Sequence, residues 1–490
     1  MSLIDRHAQA ASEIPSLFHI IGGVHRTGGS GGTFEHVNPA TGAVQAAVPL
    51  AGVDEVDAAV AAANAAFPAW RNTSPEERRR MLERLGTLIG ENNEQLARLS
   101  ALEFGGVIAF TRHLAHLSQK FTNYYAGWAD KLEGQVASHD DESGFVYTIP
   151  EPLGAIAVIV TWNGPIISLG MKVIPALAAG NTVVLKPAEI APFTSQRFME
   201  LVREAGIPDG VVNLIHGGGE AGSALTAHPG IAKITFTGGP ATAYRILEGA
   251  ARNLTPAVLE LGGKSANLVF ADANQDEACL YTVMTGLANA GQGCALPTRV
   301  LVQDEVYASF VERLEATVSA LPVGDPLIDT SVVGPVISRA SCDRILGLIA
   351  EASGSGNCRL VTGGTRIGGE LAQGWFVAPT ILADVDPGSS VAQKEIFGPV
   401  ISVMPFSSEE DAVTLANGTG YGLSSYIQTG DERRIRRLAR QLRSGTVGVN
   451  GGHPLTYNAP FGGLGLSGYG KEGGKAGIDE FLHLKTVLVR

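Results

Sequence analysis

Three residues of the chain combine a reactive side chain with a setting that suits catalysis. Cys294 lies in ANAGQGCALPTR, at the end of a predicted helix and among small and amide residues. A free cysteine there is either a thiolate nucleophile that a substrate can approach or a small hydrophobic core residue. Glu260 lies in LELGGKS. It is either a general base with a raised pKa, or a solvated residue at a strand end, or one member of an ion pair. Asn163, in TWNGP, either donates to an oxyanion or caps the helix that follows.

Helices are predicted in the first quarter of the chain. The segment 53–67, VDEVDAAVAAANAAF, repeats valine and alanine at helical spacing, which predicts a surface helix. Ser74 and Pro75 then supply an N-cap and a proline at the first helical position. The residues that follow, 78–103, predict a second and longer helix.

Short β-rich runs alternate with helical segments from residue 153 onward. Gly and Pro turns join them, as in βαβ units, so we predict a mostly parallel sheet. The alternation resumes after residue 264 and predicts a second α/β domain. The runs that predict strands are GAIAVIVTW, NTVVLKP, GVVNLIHG, KITFTGG, SANLVFA and RVLVQ.

Two segments interrupt this alternation. GQVAS and GFVYTIPEP flank an acidic HDDES turn near residues 139–143, which predicts a β-hairpin. The last residues, LHLKTVLVR, alternate leucine with polar side chains and predict an exposed, unpaired edge strand. Such an edge favours pairing with another subunit.

Composition and charge exclude several classes of protein. The 490 residues suggest roughly three domains, and 36 basic against 48 acidic residues give a net charge of −12, which argues against a nucleic-acid partner. The four cysteines have no C-x-x-C spacing, which indicates a reduced, cytoplasmic setting, and the N-terminus has no signal-peptide pattern. The apolar run from Gly154 to Met171 is interrupted halfway, so no membrane span is predicted. No metal site is predicted.

Seven short segments follow one another along the chain. In this order they resemble the motifs of the NAD(P)-dependent aldehyde dehydrogenase superfamily, and the resemblance covers nearly the whole chain. One motif of this size is weak, but seven in order at compatible spacings argue strongly against a chance match. The segments are TWNGP, LKPAE, FTGG, LELGGKS, GQGC, EIFGPV and PFGGLGLSGYGKEGG.

The resemblance implies a role for each candidate catalytic residue. Cys294 matches the nucleophile, which forms a thiohemiacetal and then a thioester. Asn163 matches the oxyanion donor, together with the backbone N–H of Cys294. Glu260 matches the base that activates the hydrolytic water. Lys172 and Glu472 resemble residues of a proton relay, and the alternative is that they are surface charges.

The resemblance also implies an NAD site. Lys186 and Glu189 match residues at the adenosine ribose, where a carboxylate repels a 2′-phosphate and favours NAD over NADP. Glu395 matches the nicotinamide-ribose contact and Phe397 the apolar wall beside the nicotinamide. The other cofactor positions that the resemblance implies are Thr161, Trp162, Gly219, Phe236, Thr237, Gly238, Gly239 and Leu261.

The chain departs from the family pattern at the pyrophosphate. FTGG replaces the usual FTGS, so Gly239 offers no hydroxyl, and Ala243 replaces an expected glycine. The phosphates then depend on backbone N–H groups at a helix N-terminus.

The chain also departs from the pattern at the substrate. Gly164 stands where an aromatic residue is common, and Met171 where a tryptophan is common. We therefore predict a wide tunnel for a bulky or aromatic aldehyde, with Leu455 and Phe461 on its other side. The alternative is that neighbouring side chains fill the space.

The expected architecture is α/β. An NAD-binding, Rossmann-like domain is predicted from residues 1–130 and 153–262, with 467–481 returning to it. A catalytic domain is predicted at 263–466. Residues 131–152 and 482–490 are predicted to form an oligomerisation arm of a dimer or tetramer.

Two other functions remain as alternatives. Acylating members of the family pass the acyl group to coenzyme A and generally lack the base at the position of Glu260. A catalytically silent scaffold of the same fold has no need of Cys294, Glu260 and Asn163 together.

Overall fold

The computed structural model describes residues 1–137, 144–453 and 455–489. The α-helices are α1 Leu3–Ala10, α2 Val53–Arg71, α3 Pro75–Glu91, α4 Asn93–Phe104, α5 Ile108–Ala126, α6 Pro165–Ala178, α7 Phe193–Glu204, α8 Gly219–Thr226, α9 Pro240–Ala251, α10 Gln275–Gly286, α11 Asp304–Ser319, α12 Arg339–Gly354, α13 Ser390–Gln393, α14 Glu409–Asn417, α15 Glu432–Gln441 and α16 Gly474–Asp479. The strands are β1 His19–Ile21, β2 Val24–Arg26, β3 Thr33–Val37, β4 Val44–Pro49, β5 Phe145–Pro152, β6 Ala155–Ile159, β7 Thr182–Lys186, β8 Val212–Leu214, β9 Lys233–Thr237, β10 Ala257–Glu260, β11 Ala266–Val269, β12 Arg299–Gln303, β13 Arg359–Thr362, β14 Thr380–Ala383, β15 Val400–Phe406, β16 Ser424–Gln428, β17 Thr446–Val449, β18 Gly468–Tyr469 and β19 Leu482–Val489.

Two large sheets dominate the molecule. The first has the order β18-β10-β9-β6-β7-β8-β1-β2 and the second β13-β14-β15-β12-β11-β16-β17. The central strands of both sheets are parallel, which confirms the predicted α/β class. Antiparallel edge strands β1, β2, β13 and β18 extend these sheets, and the sequence did not predict them.

The parallel strands are apolar because helices cover both faces of each sheet. In β6, Ile156 and Val158 pack into a core with α5 and α6, whereas Ala155, Ala157 and Ile159 pack into another with α2, α8 and α9. Two further cores cover the faces of the second sheet. The strands therefore show continuous apolar runs rather than alternation.

The predicted long helix after Ser74 is wrong in one respect. Ser74 caps α3 by accepting from the backbone N–H of Glu77, as predicted. The helix then ends at Glu91, and α4 begins at Asn93. At this junction the backbone N–H of Asn92 keeps its bond to the carbonyl oxygen of Leu88 at 3.0 Å, and the Asn92 side-chain amide donates to the same oxygen at 2.8 Å.

The predicted edge strand at the chain's end is not unpaired. β19 pairs antiparallel with β5 over all eight of its residues. In the predicted hairpin, Val136 pairs with Tyr147, and the acidic turn lies outside the described residues. The β5–β19 ribbon exposes Leu484 and Leu488 by 62% and 68%.

Among the residues that the structure describes, no helix has the length and hydropathy needed to cross a bilayer.

Asn181 joins the ribbon to the first sheet. Its side-chain oxygen accepts from the backbone N–H groups of Leu153 and Gly154 at 2.7 and 3.0 Å. Its side-chain nitrogen donates to the carbonyl oxygens of Ala176 and Phe481 at 3.2 and 2.9 Å. One fully buried amide therefore connects the end of β5, the end of α6 and the start of β19.

We predict that Asn181→Ala destabilises the protein by about 3 kcal/mol, because it leaves several buried backbone groups without partners. The measurement is the midpoint of urea unfolding followed by circular dichroism. Asn253→Ala is the matched control, since Asn253 is exposed and makes one bond, to the carbonyl oxygen of Ala227. Equal shifts of the two midpoints would contradict the prediction.

Candidate active site

Three separate segments bring the candidate catalytic residues together where the two sheets meet. Asn163 follows β6, Glu260 ends β10, and Cys294 lies in the loop before β12. The loop that carries Cys294 includes Asn289 and Ala290 in the left-handed region, with φ values of 51° and 53°. This backbone is strained for residues other than glycine, so tertiary contacts must hold it.

Amide side chains supply those contacts. Asn163 Nδ2 donates to the carbonyl oxygen of Gln292 at 2.9 Å. Asn289 Nδ2 donates to the carbonyl oxygens of Asn163 and Gln292 at 3.1 and 3.2 Å. We call these three hydrogen bonds of the Asn163 and Asn289 side chains the amide knot. The alternative that Asn163 caps α6 is excluded, because the N-cap of α6 is Gly164 and no side-chain bond is made there.

Further contacts fix the same loop from the second sheet. Gln292 accepts from the backbone N–H of Ile337 at 2.9 Å, and the Tyr426 hydroxyl donates to the carbonyl oxygen of Ala295. A Cβ at Gly263 would lie 2.3 Å from the Cys294 carbonyl oxygen, so only glycine fits there. The sequence analysis missed Asn289, Gln292 and Tyr426. Asn289, two residues before GQGC, and Gln292, within it, were the features of the sequence that could have indicated these contacts.

Cys294 is half-buried and is not a core residue. Burial, with smaller contributions from the carboxylates of Glu395 and Glu260, raises the pKa of its thiol to about 12. The thiol is therefore protonated in the resting protein, and its proton must leave when the sulfur attacks a substrate.

Glu260 is neither solvated nor ion-paired. It is 3% exposed, and neither of its carboxylate oxygens has a hydrogen-bond partner within residues 1–137, 144–453 and 455–489. Burial raises the pKa of Glu260 well above its usual value, and the nearby Glu472 carboxylate raises it further. A carboxylate whose pKa is raised in this way binds a proton more readily and suits general-base chemistry.

Lys172 and Glu472 are not surface charges. They are 0% and 5% exposed, and the Lys172 ammonium donates to the Glu472 carboxylate. Lys172 also donates to the Thr235 hydroxyl at 3.1 Å. The Glu472 charge raises the pKa of Glu260 and the Lys172 charge lowers it, so this buried pair adjusts the larger effect of burial on the candidate base.

A cavity of about 470 Å³ lies beside this centre. Nine of the twelve predicted cofactor residues line it, namely Thr161, Trp162, Lys186, Glu189, Gly219, Phe236, Thr237, Gly238 and Gly239. The sequence analysis did not predict the contributions of Ser223, Thr226, Thr242 and Arg245, which lie on the first two turns of α8 and α9.

The remaining three predicted residues lie outside that lining. Leu261 is buried next to Glu260 and belongs to an apolar core. Glu395 accepts from the backbone N–H of Gly263 at 3.0 Å, and burial raises its pKa to about 7. Phe397 packs edge-on against Trp162 with ring centroids 5.3 Å apart, so it supports the wall of the cavity.

The lining of the cavity fits a dinucleotide. The N-termini of α8 and α9 both face it, and helix N-termini favour phosphate groups. Pro240 begins α9 and has no N–H, so fewer backbone donors are available there than at an ordinary helix start. The Thr242 hydroxyl and the Arg245 guanidinium supply further donors. Among the described residues, no cluster of side chains is suited to a metal ion.

The predicted substrate residues lie on the other side of Cys294, in an apolar cluster. Met171 and Phe461 are 6% and 5% exposed, and Leu455 and Cys294 pack against the same core. A Cβ at Gly164 would lie 3.1 Å from the side chain of Ile167. Ile167 thus occupies part of the space that an aromatic residue would take.

Comparisons with known proteins cover almost the whole chain. The aldehyde dehydrogenase family model matches residues 26–487. An aldehyde dehydrogenase of Alternaria alternata is 40% identical over 464 residues, or 94% of this chain and 92% of that protein. The crystal structure of betaine aldehyde dehydrogenase from Staphylococcus aureus with NAD+ gives a TM-score of 0.96 at 32% identity, covering 99% and 97% of the two chains. An E. coli NADP-dependent enzyme gives 0.94 at 35% identity, covering 98% and 99%.

The charges around Cys294 predict how fast its thiol is alkylated. Glu260→Gln removes a carboxylate that raises the thiol's pKa, so we expect alkylation by uncharged iodoacetamide at pH 9 to accelerate roughly two- to tenfold. The rate is followed by mass spectrometry, with Cys294→Ala to identify the modified site. Glu220→Gln, which removes an exposed carboxylate of the cofactor cavity, should leave the rate unchanged. An unchanged rate in Glu260→Gln would contradict the electrostatic account.

Proposed function

Because this chain belongs to the aldehyde dehydrogenase family, we propose that it oxidises an aldehyde to the carboxylic acid at Cys294 and transfers the hydride to NAD. The observation that most supports this mechanism is the amide knot, which ties Asn163 to the strained loop carrying Cys294. A cavity suited to a dinucleotide lies on one side of that loop and an apolar cluster on the other.

The first step joins sulfur to carbon. The Cys294 Sγ attacks the carbonyl carbon of the aldehyde, the thiol proton passes to the neighbouring Glu260 carboxylate, which releases it to solvent before the third step, and the electron pair of the C=O bond moves to the oxygen. Asn163 donates one amide hydrogen to the carbonyl oxygen of Gln292, and its second would donate to this oxyanion. The backbone N–H of Cys294 supplies another donor.

The second step removes hydride from the adduct. When bound, NAD supplies the nicotinamide ring that accepts the hydride as the thiohemiacetal becomes a thioester. Glu189 and Lys186 would hold the adenosine ribose, and Glu395 the nicotinamide ribose. Trp162, supported by Phe397, would give the ring an apolar wall.

The third step releases the acid. Glu260 takes a proton from water, the resulting hydroxide attacks the thioester carbonyl, and the C–S bond breaks to return Cys294 as a thiolate. Burial and the Glu472 charge give Glu260 the proton affinity that this step needs. Lys172 and Glu472 act on Glu260 through their charges, and we assign them as positioning residues.

We propose an apolar or aromatic aldehyde as the substrate class. The support is the aromatic and aliphatic character of the cluster around Cys294. Next to it, the Tyr124 ring lies 5.6 Å from Tyr457 and 6.2 Å from Trp128. The wide tunnel inferred from Gly164 has weaker support, because Ile167 occupies part of that space.

The β5–β19 ribbon is our proposed contact for a homo-oligomer. Its exposed leucines and the unpaired edge of β19 favour the addition of a second copy. All four cysteines are free thiols, which suits a reducing compartment, and a cytoplasmic location stays a prediction.

The decisive test is NADH formation at 340 nm without coenzyme A. We expect wild type to be active and Cys294→Ala to lose at least roughly a thousandfold in kcat. The aldehydes are acetaldehyde, benzaldehyde and betaine aldehyde, and we expect the highest kcat/KM for benzaldehyde. A preference for acetaldehyde would contradict the substrate class.

Two outcomes would favour the alternatives. Turnover that requires coenzyme A would support the acylating reaction. An inactive wild type, or a Cys294→Ala variant that matches it, would support the silent scaffold.

Glu189 predicts the choice of cofactor. Glu189→Gln removes the charge that would repel a 2′-phosphate, so we expect the NAD to NADP ratio of kcat/KM to fall roughly tenfold. Glu220→Gln lines the same cavity and should leave the ratio unchanged. The initial rate of reduction of each cofactor is the measurement, and equal ratios in wild type and Glu189→Gln would contradict the role of Glu189.

A further inference from the structure

A second, narrow cavity lies behind the catalytic loop, at the N-terminal ends of β11, β12 and β16. Its lining includes Lys264, Ser265, Arg299, Ser424 and Arg443, and we call it the Lys264 cavity. The volume within which the centre of a water-sized sphere can move is about 10 Å³. This is close to the space that one water molecule or small ion needs.

The cavity is lined by buried polar groups that lack hydrogen-bond partners among the described residues. Lys264 is 2% exposed, and its Nζ has no partner in that part of the chain. The hydroxyl oxygens of Ser265 and Ser424, both 3% exposed, have none at hydrogen-bond geometry there, and the Ser424 hydroxyl lies close enough to the Tyr426 hydroxyl to lower the pKa of that group. An ammonium group has three donors and no acceptor, so this cluster requires an acceptor that the protein does not provide.

The charge of the lining has one sign. Arg299 is 3% exposed and donates to the carbonyl oxygens of Lys264 at 3.2 Å and Ala416 at 2.6 Å. Arg443 adds a second guanidinium, on the exposed side. No carboxylate is among the described residues that line the cavity. Burial, with a smaller contribution from the Arg299 charge, lowers the pKa of Lys264 to about 7, and the Glu395 carboxylate, which does not line the cavity, raises it. Two buried cations therefore lie near one carboxylate.

We propose that the Lys264 cavity binds one chloride ion, held by the Lys264 ammonium and the hydroxyl groups of Ser265 and Ser424. A water molecule would satisfy the donors but leave the two buried cations in excess over the Glu395 carboxylate, which is unfavourable. A phosphate or carboxylate is too large for the available room. The ion is therefore monatomic and negatively charged.

The position of the cavity links the ion to the catalytic loop. Lys264 directly follows Gly263, whose Cβ position is 2.3 Å from the carbonyl oxygen of Cys294. Gly263 also donates to Glu395. A chloride ion on Lys264 would stabilise the folded turn between Glu260 and β11, whatever reaction the active site performs.

The test is thermal unfolding of the protein without cofactor or aldehyde, at equal ionic strength in sodium chloride or sodium gluconate. We expect chloride to raise the Tm by roughly 2 °C or more. Lys264→Met should abolish the difference, and Lys131→Met, which removes an exposed lysine, should retain it. Iodide should stabilise less than chloride because the space is small. An equal Tm in chloride and gluconate, or a difference that Lys264→Met retains, would overturn the proposal.

Crystals in sodium bromide provide a second measurement that does not depend on a variant. We expect an anomalous peak within hydrogen-bond distance of Lys264 Nζ. Ser424→Ala, a milder change than Lys264→Met, should weaken that peak. Its absence from wild-type crystals would overturn the proposal. Both readouts are independent of turnover, so failure of the proposed aldehyde oxidation would leave this result intact.

Discussion

The hydrogen bond from Asn163 to the carbonyl oxygen of Gln292 joins the two sheets at the point where chemistry is proposed. Asn163 belongs to the first sheet's β6 loop, and Gln292 belongs to the strained loop that leads to the second sheet. The left-handed backbone at Asn289 and Ala290 is tolerable because this bond and those of Asn289 hold it. The position of Cys294 relative to the cofactor cavity thus depends on side-chain amides.

Buried charge is the second constraint around this centre. Glu260, Lys172 and Glu472 are almost entirely removed from water, and each alters the proton affinity of its neighbours. Burial alone would favour the neutral form of Glu260, and the Lys172 cation moderates that effect. A related situation occurs at Lys264, where two buried cations outnumber the nearby Glu395 carboxylate. These two buried groups of charges are the places where we propose a reacting water molecule and a bound anion.

The sequence predicted those features that depend on residues close together in the chain. Apolar runs and helical spacing predicted β6, β7, β9, α2 and α6, and seven ordered segments predicted the family, the α/β fold and the NAD-dependent reaction. The break at Asn92 was missed because residues with helical preference continue on both sides of it. The edge strands and the amide knot were missed because their partners are distant in sequence. The roles of the site residues and the domain boundaries stay predictions.

The β5–β19 ribbon has a consequence for the order of events during synthesis. β5 is made before most of the first sheet and all of the second, whereas β19 follows both in the chain. Both large sheets can therefore begin to fold while β5 still lacks its partner. Assembly through the complete ribbon, as we propose it, therefore follows translation of β19. Until then, the edge of β5 that β19 later covers is open to pairing with another chain, so the late synthesis of β19 prolongs the exposure of that edge.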